Sequence, residues 1–434
     1  MKPLPRCEQE RLREDAWLPC PMHMGLYIMI TETSCNRACR ACGGSLHCET
    51  LDLGNQAFCN RFLSNPTDPE YTHPLALGVC TSCGLLQLLD PPPVEKITPR
   101  FPWITYNEPE EHLDHVTDIL LGMIESKENA VAAGVSYKDD TTLERLRERG
   151  VGLTWRVTPE ELGLCGSKTE IETVQHRFTM EKAAKISKNR GCLDILIVRH
   201  ILEHTHDLCA FLSALKMLVK PEGLFVFEVP ECTSVLALKD YSTIWEEHVF
   251  YFTLLTLQTC LASNGFEIIH MENYPYPLEN SIVLLARQRS SGHIPALPEQ
   301  DREKDLDRVL NYFASFPSEG VLYRQVLAEY RYRGSKIALL GAGHLACTFV
   351  NLLHLREYID CILEDDPNRQ GLFMPGSRLP IESSTTLSDP KIHLCLLGLN
   401  PLNEDRVIAK QRGFAERGGE LRSIFPVSER SILK

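Results

Sequence analysis

The chain has 434 residues, which predicts two to four domains, each able to bury its own core. A hydrophobic fraction of 43% and a charged fraction of 24% are ordinary for a soluble globular protein. The formal net charge of -13 argues against nonspecific nucleic-acid binding, because no basic excess exists to neutralise phosphates; an anionic small ligand needs only a local positive pocket.

The 17 cysteines are an odd number in a long chain. No segment approaches the ~18 uninterrupted apolar residues of a membrane span. The first residues are polar and lack the apolar core of a signal peptide. A reduced, cytoplasmic setting is expected, with cysteines acting as metal ligands or small core residues rather than as disulfides.

Residues 1–30 read as an extension. The segment 31–95 follows, with Cys35, Cys39, Cys42 and Cys48 in its first part and Cys80 and Cys83 later. Two Cys-x-x-Cys pairs, Cys39/Cys42 and Cys80/Cys83, are spaced so that four thiolates can close a tetrahedral site on one Zn2+, with a β-ribbon between the pairs. Cys35 and Cys48 compete for the same role. A site closed by four cysteines has no open position for substrate, so this zinc would be structural.

A proline-rich stretch leads into the segment 96–290. Its elements in order are a helix over about 110–127, a short buried strand in ENAVAAGVS, and a helix in KDDTTLERLRERG with Thr141 and Glu144 at capping-box spacing. A strand near GLTWRV follows, then a weakly patterned stretch from 160 to 190. The apolar run LDILIV ends in a polar cluster holding His204, and the second run, LFVFEVP, is followed by Trp245, Glu246, Glu247 and His248. Two antiparallel strands close this segment. Acid-base residues just past the carboxyl ends of neighbouring strands are how an open α/β sheet builds a site. A helical linker over 291–330 contains two helices. The segment 331–434 opens on a strand, a turn with Gly341 and Gly343, a helix and a second strand ending at Glu364, which is the dinucleotide-binding pattern. The turn is read either as a cradle for NAD or a sugar-nucleotide pyrophosphate, or as a bare strand-to-helix connection.

Histidine carries protons near neutral pH, which makes His204 and His248 candidate acid-base groups, with Tyr251 as a neighbouring phenol. Each could instead be a hydrogen-bonded residue at the edge of the core. If residues 245–248 are helical, Glu247 and His248 point in different directions and only one faces a ligand. The loop Gly134-Val-Ser136-Tyr-Lys-Asp139-Asp140 is a poor cradle for a nucleoside cofactor, with one glycine and then bulky or charged residues.

These pieces together resemble the S-adenosylmethionine-dependent sugar C-methyltransferases that act on nucleotide-linked deoxy-keto-sugars. The resemblance rests on CRACGGSLHCETLDLGNQAFCNRFL, PLALGVCTSCGLLQL, HILEHTHDLCAFL, FEVPE, YSTIWEEHVFYFT, EDDPNRQGLFMPGSRLPI and LGLNPLNE, in that order over about 36–426. It implies an α/β chain: a small N-terminal zinc-binding domain, a Rossmann-like methyltransferase core and a second Rossmann-like C-terminal domain. It implies zinc on Cys39, Cys42, Cys80 and Cys83, and proton abstraction beside a sugar ketone by Glu247 and His248. It also implies a role for His204 at the enolate oxygen and a sugar contact from Tyr106; Trp245, in place of the family's tyrosine, and the nearby Tyr251 are the other candidate substrate contacts. The methyl donor would lie against Gly134, Ser136 and Asp139, and a nucleotide against Gly341, Gly343 and Glu364. The chain departs from the family at Ser136–Asp140, where both loop glycines are lost, at Trp155–Pro159, where the ribose-holding acid is missing, and at Trp245, which replaces a tyrosine. Three readings follow: a sugar C-methyltransferase, a relative that has lost the donor and performs an epimerase-like or NAD-linked reaction, or a non-catalytic nucleotide-sugar binder. Each is expected as a monomer or small homo-oligomer.

Overall fold

The computed structural model describes residues 37–98, 100–101, 108–164, 171–289 and 299–434. Tyr106, Cys35, the extension 1–30 and the start of the linker lie outside them.

Three sheets organise the chain. The first is antiparallel and runs Leu46–Ala57, Thr72–Cys80, Leu86–Leu88 and then Phe250–Tyr251. The expected β-ribbon between the cysteine pairs is the first two of these strands. Its fourth strand comes from the segment that carries Glu247 and His248: Leu86 pairs with Tyr251, and Gln87 with Phe250.

The second sheet has the order Leu153–Arg156, Val131–Gly134, Leu193–Arg199, Val219–Glu231, Asn280–Gln288, Phe266–Tyr274. The first four strands are parallel and the last two are antiparallel to their neighbours. The run Ile195–Val198 is wholly buried because helices cover both faces of the sheet. The weakly patterned stretch contains two helices, Ile171–Arg177 and Met180–Arg190, and the second begins at Thr179, whose side chain accepts from Lys182 N. The expected capping box is absent. Thr141 Oγ1 instead donates to Glu110, and Glu144 pairs with Arg147. The box forms one turn earlier, between Ser136 and Asp139.

The third sheet is all parallel, ordered Ile381–Glu382, Cys361–Leu363, Lys336–Leu340, Ile392–Leu397, Glu420–Ser423. The two helices expected in the linker are one helix, Glu299–Tyr332, with Pro317 inside it. Its buried stripe of Val309, Tyr312, Phe313, Phe316, Gly320, Tyr323 and Leu327 keeps helical spacing across the proline, and this packing outweighs the missing N–H. Among the described residues no helix is long and apolar enough to cross a membrane.

The first and third sheets share a core, while the second sheet packs its two faces into clusters of its own. Apolar residues of the first sheet, the 241–251 segment, the long helix and the third sheet form a single buried cluster. Leu63 and Phe373 exchange backbone hydrogen bonds of 3.0 and 2.8 Å, tying the N-terminal part to the C-terminal part. Phe250 is 1% exposed within the shared strand. Replacing it by alanine should cost about 3–5 kcal/mol, read as a lower urea midpoint.

Candidate active site

The four cysteines of the N-terminal part converge. Cys39 Sγ lies 3.8 Å from Cys83 Sγ, and Cys42 Sγ lies 3.5 Å from Cys80 Sγ. Four thiolates bonded to one zinc stand about 3.8 Å apart, so the cluster fits the ion. Backbone amides of Ala41, Gly44 and Ser82 donate to Cys39, Cys42 and Cys80 sulfurs at 3.3–3.4 Å, which favours their thiolate form. Cys48 lies outside the cluster.

A cavity of about 190 Å³ opens between the second and third sheets. Glu203 and His204 reach it from the turn after Leu193–Arg199, and Trp245, Glu247 and His248 from the loop before Phe250. That loop is not helical, so Glu247 and His248 both face the cavity, contrary to the helical expectation. His204 and His248 meet edge to face, with ring centroids 4.7 Å apart. Trp245 stacks on His344 at 4.4 Å and so carries the wall of the cavity across to the C-terminal part. Tyr251 does not line the cavity. Its hydroxyl accepts from Trp245 N at 2.9 Å and donates to Trp245 O, so it props the loop rather than touching substrate.

Charge in the cavity is organised around Glu228. Its buried carboxylate takes Arg199, His200 at 3.1 Å, Ser281 Oγ at 2.7 Å and His112 at 3.0 Å. Burial opposes ionisation, yet the charges of Arg199 and His200 hold Glu228 well below the carboxylate range. Burial likewise opposes the charged form of His200, but Glu108 and Glu228 raise it to about 10. Lys138 Nζ lies 3.0 Å from Glu108, which His200 and Lys138 hold at about 2 against its burial. His248 and His204 behave oppositely. Burial, then the charge of His344, lowers His248 to about 3; burial, then His248, holds His204 far below its usual value. Both are neutral at pH 7. Burial, then Glu172 and Glu246, lifts Glu247 far above the carboxylate range.

The residues expected to hold the methyl donor do not fit it. Asp139 is fully buried, and its carboxylate accepts from Val135 N, Ser136 N and Arg199 N at 2.7–2.9 Å. These bonds consume the amides a donor would use. A Cβ on Gly134 would stand 2.5 Å from the Asp139 side chain, so the turn is filled from within. Ser136 is buried as a cap of the next turn. At the end of the neighbouring strand, where a ribose calls for an acceptor, Arg156 pairs with Asp140. Lys138 reaches the cavity wall from this same turn.

In the C-terminal turn, Gly341 has φ +111, and a Cβ there would meet Gly398 O at 2.9 Å, so its role is steric. Glu364 is not free for a ribose: its carboxylate accepts from Ala342 N, Asp365 N and Asp366 N and pairs with Arg369. Gly343 is different. It caps the helix His344–Leu352 without a side-chain bond, and space beside it is open.

Sequence reasoning missed Glu108, Lys138, Glu172, Glu279 and Asn400 in the cavity wall. Glu172 sits on the short helix of the weakly patterned stretch and carries no local signal. Lys138 is visible in the sequence only as an intrusive charge in the donor loop.

Residues 39–97 match a family model described as a zinc binding domain, 100–271 one described as a methyltransferase domain, and 284–427 one described as a C-methyltransferase C-terminal domain. The chain is 25% identical over 416 residues to C-methyltransferase NovU of Streptomyces niveus, covering 91% of this chain and 96% of that protein. Among solved structures, 1,6-didemethyltoxoflavin-N1-methyltransferase of Burkholderia thailandensis aligns over 42% of this chain and 80% of its own, at 15% identity and a TM-score of 0.29. An S-adenosylmethionine-dependent methyltransferase of Listeria monocytogenes aligns over 42% and 100%, at 12% identity and a TM-score of 0.30.

Calorimetry at about millimolar S-adenosylmethionine should show no binding; an affinity in the micromolar range would show that the Asp139 turn opens. The His200 ring should remain imidazolium at pH 8 by 15N NMR. Because its value is raised from 6.5 to about 10, its contribution to stability is whole below pH 6.5 and is lost as pH rises towards 10.

Proposed function

The chain belongs to the three-domain C-methyltransferases, a family of enzymes, and from that premise we propose that it acts on a nucleotide-linked deoxy-keto-sugar by forming an enolate beside the ketone. The observation that carries this reading is the pairing of His204 and His248 in the cavity wall, with His344, at the start of the helix that Gly343 caps, stacked on the neighbouring Trp245. The open amides of that helix suit a pyrophosphate, and a bound nucleotide there would direct the sugar towards the histidines.

His248 is the base. Its ring nitrogen takes the proton from the carbon beside the ketone, and the C–H electron pair moves onto the carbonyl oxygen. Lys138 and His200 supply the positive charge that meets this oxygen. His204 holds the base in place edge to face, and Trp245 packs behind it. The family's donor would add a methyl group to the resulting carbon; the closed Asp139 turn supports no such step here.

That closed turn favours a second reading. The same enolate can take a proton from water on the opposite face while His248 gives up its own proton to solvent, which inverts the centre with no methyl donor. The product distinguishes the two: methyl transfer makes it heavier by one methylene, and reprotonation leaves its mass unchanged. With a nucleoside-diphosphate-linked deoxy-keto-sugar in D2O, the chain should catalyse deuterium incorporation beside the ketone, and His248→Ala should reduce it by roughly 10²–10⁴-fold while circular dichroism is unchanged. Undiminished exchange in the variant removes His248 from the reaction.

A further inference from the structure

We infer that Glu172, His204 and Glu247 form a binding site for one divalent cation whose remaining coordination positions face the substrate cavity. Three separate elements bring these side chains together: the helix Ile171–Arg177, the turn Leu202–His204 and the loop before Phe250. One ligand atom from each lies within 4.8 Å of the other two, and all three residues are buried. A cation with bonds of about 2.0–2.2 Å holds its ligands about 3–4 Å apart, so small side-chain rotations close the site.

A second observation points to a ligand independently of the carboxylates. His204 is 7% exposed, and its Nδ1 has no hydrogen-bond partner among the described residues. That nitrogen lies 3.5 Å from Glu172 Oε1. A buried imidazole nitrogen without a hydrogen-bond partner is costly, and here it faces a carboxylate of the cluster. The carboxylates themselves repel out of water unless positive charge lies between them. The Glu247 side chain is held from one side, because its Oε1 accepts from Asn60 Nδ2 at 2.9 Å, and it faces the Glu172 carboxyl where an ion would stand.

Two carboxylates and one imidazole suit Mn2+, Fe2+ or Zn2+, and differ in kind from the closed four-thiolate cluster. All three ligands line the cavity, so an ion here stays accessible to substrate. Its chemical role rests on the enolate reading above. The proton goes to His248, the electron pair to the carbonyl oxygen, and the cation takes that oxygen as a ligand; no oxidant or reductant is needed. Binding itself does not depend on that reading.

The test uses the full chain with its zinc retained, titrated with Mn2+ and followed by the electron paramagnetic resonance signal of free Mn2+. We expect one Mn2+ per chain. Glu172→Gln should weaken uptake at least tenfold with zinc content and circular dichroism unchanged, and Glu172→Asp, which keeps a carboxylate, should recover part of it. No uptake, or equal uptake by Glu172→Gln, overturns the site. So does an infrared carbonyl band of a protonated carboxyl that Glu172→Gln removes and Mn2+ does not displace, since a shared proton would then occupy the space. Mn2+ uptake without deuterium exchange into the keto-sugar supports the site and counts against the substrate reading alone.

Discussion

One buried negative charge, on Glu228, sets the arrangement of the cleft. It lies on the strand Val219–Glu231 and is compensated by Arg199 and His200, the last residue of the adjacent strand and the residue after it. Such a charge is tolerable only with its partners in place, because removing one leaves the other unpaired in a medium that cannot solvate it. The compensation fixes more than itself. Arg199 donates its backbone N–H to Asp139 and its guanidinium to Lys138 O, so the pair that neutralises Glu228 also holds the Asp139 turn shut. His200 reaches Glu203 at 3.5 Å, and it adopts φ +48 to do so. The turn that presents His204 therefore starts from the same charge.

This coupling gives the two halves of the cleft opposite fates. On the histidine side, neutral imidazoles stand against an open cavity. On the loop side, amides that could serve a cofactor are spent on Asp139. A fold shared with methyl-transferring enzymes thus keeps paired histidines in an open cavity while the turn after its first parallel strand is satisfied internally. Fold membership and cofactor use are separate questions, decided by different residues.

Much of the fold is legible in the sequence. Buried strands such as Leu193–Arg199 announce themselves as apolar runs, and the paired Cys-x-x-Cys motifs place four sulfurs together. Local rules fail where tertiary packing competes with them. Pro317 suggests a break, but the buried stripe from Val309 to Leu327 carries the helix through it. Thr141 and Glu144 have capping-box spacing, yet Thr141 is used by Glu110. A helical reading sends Glu247 and His248 in opposite directions, and an irregular loop turns both inward. Glu172 is invisible to such rules, because a buried carboxylate on a seven-residue helix looks like any surface acid until its partners from residues 204 and 247 are brought beside it.

The strand Phe250–Tyr251 imposes an order of events on a chain emerging from the ribosome. The four cysteines are all present once residue 83 has been made, so the metal cluster can close early. The sheet beside it cannot be completed until Phe250 and Tyr251 arrive to pair with Gln87 and Leu86. Until then the Leu86–Leu88 edge is unpaired, and it waits through synthesis of most of the second sheet. The N-terminal part is accordingly no separable bead. Its last strand is delivered by the same loop that carries His248 into the cavity wall, so completion of the first sheet and placement of that loop are a single closing event.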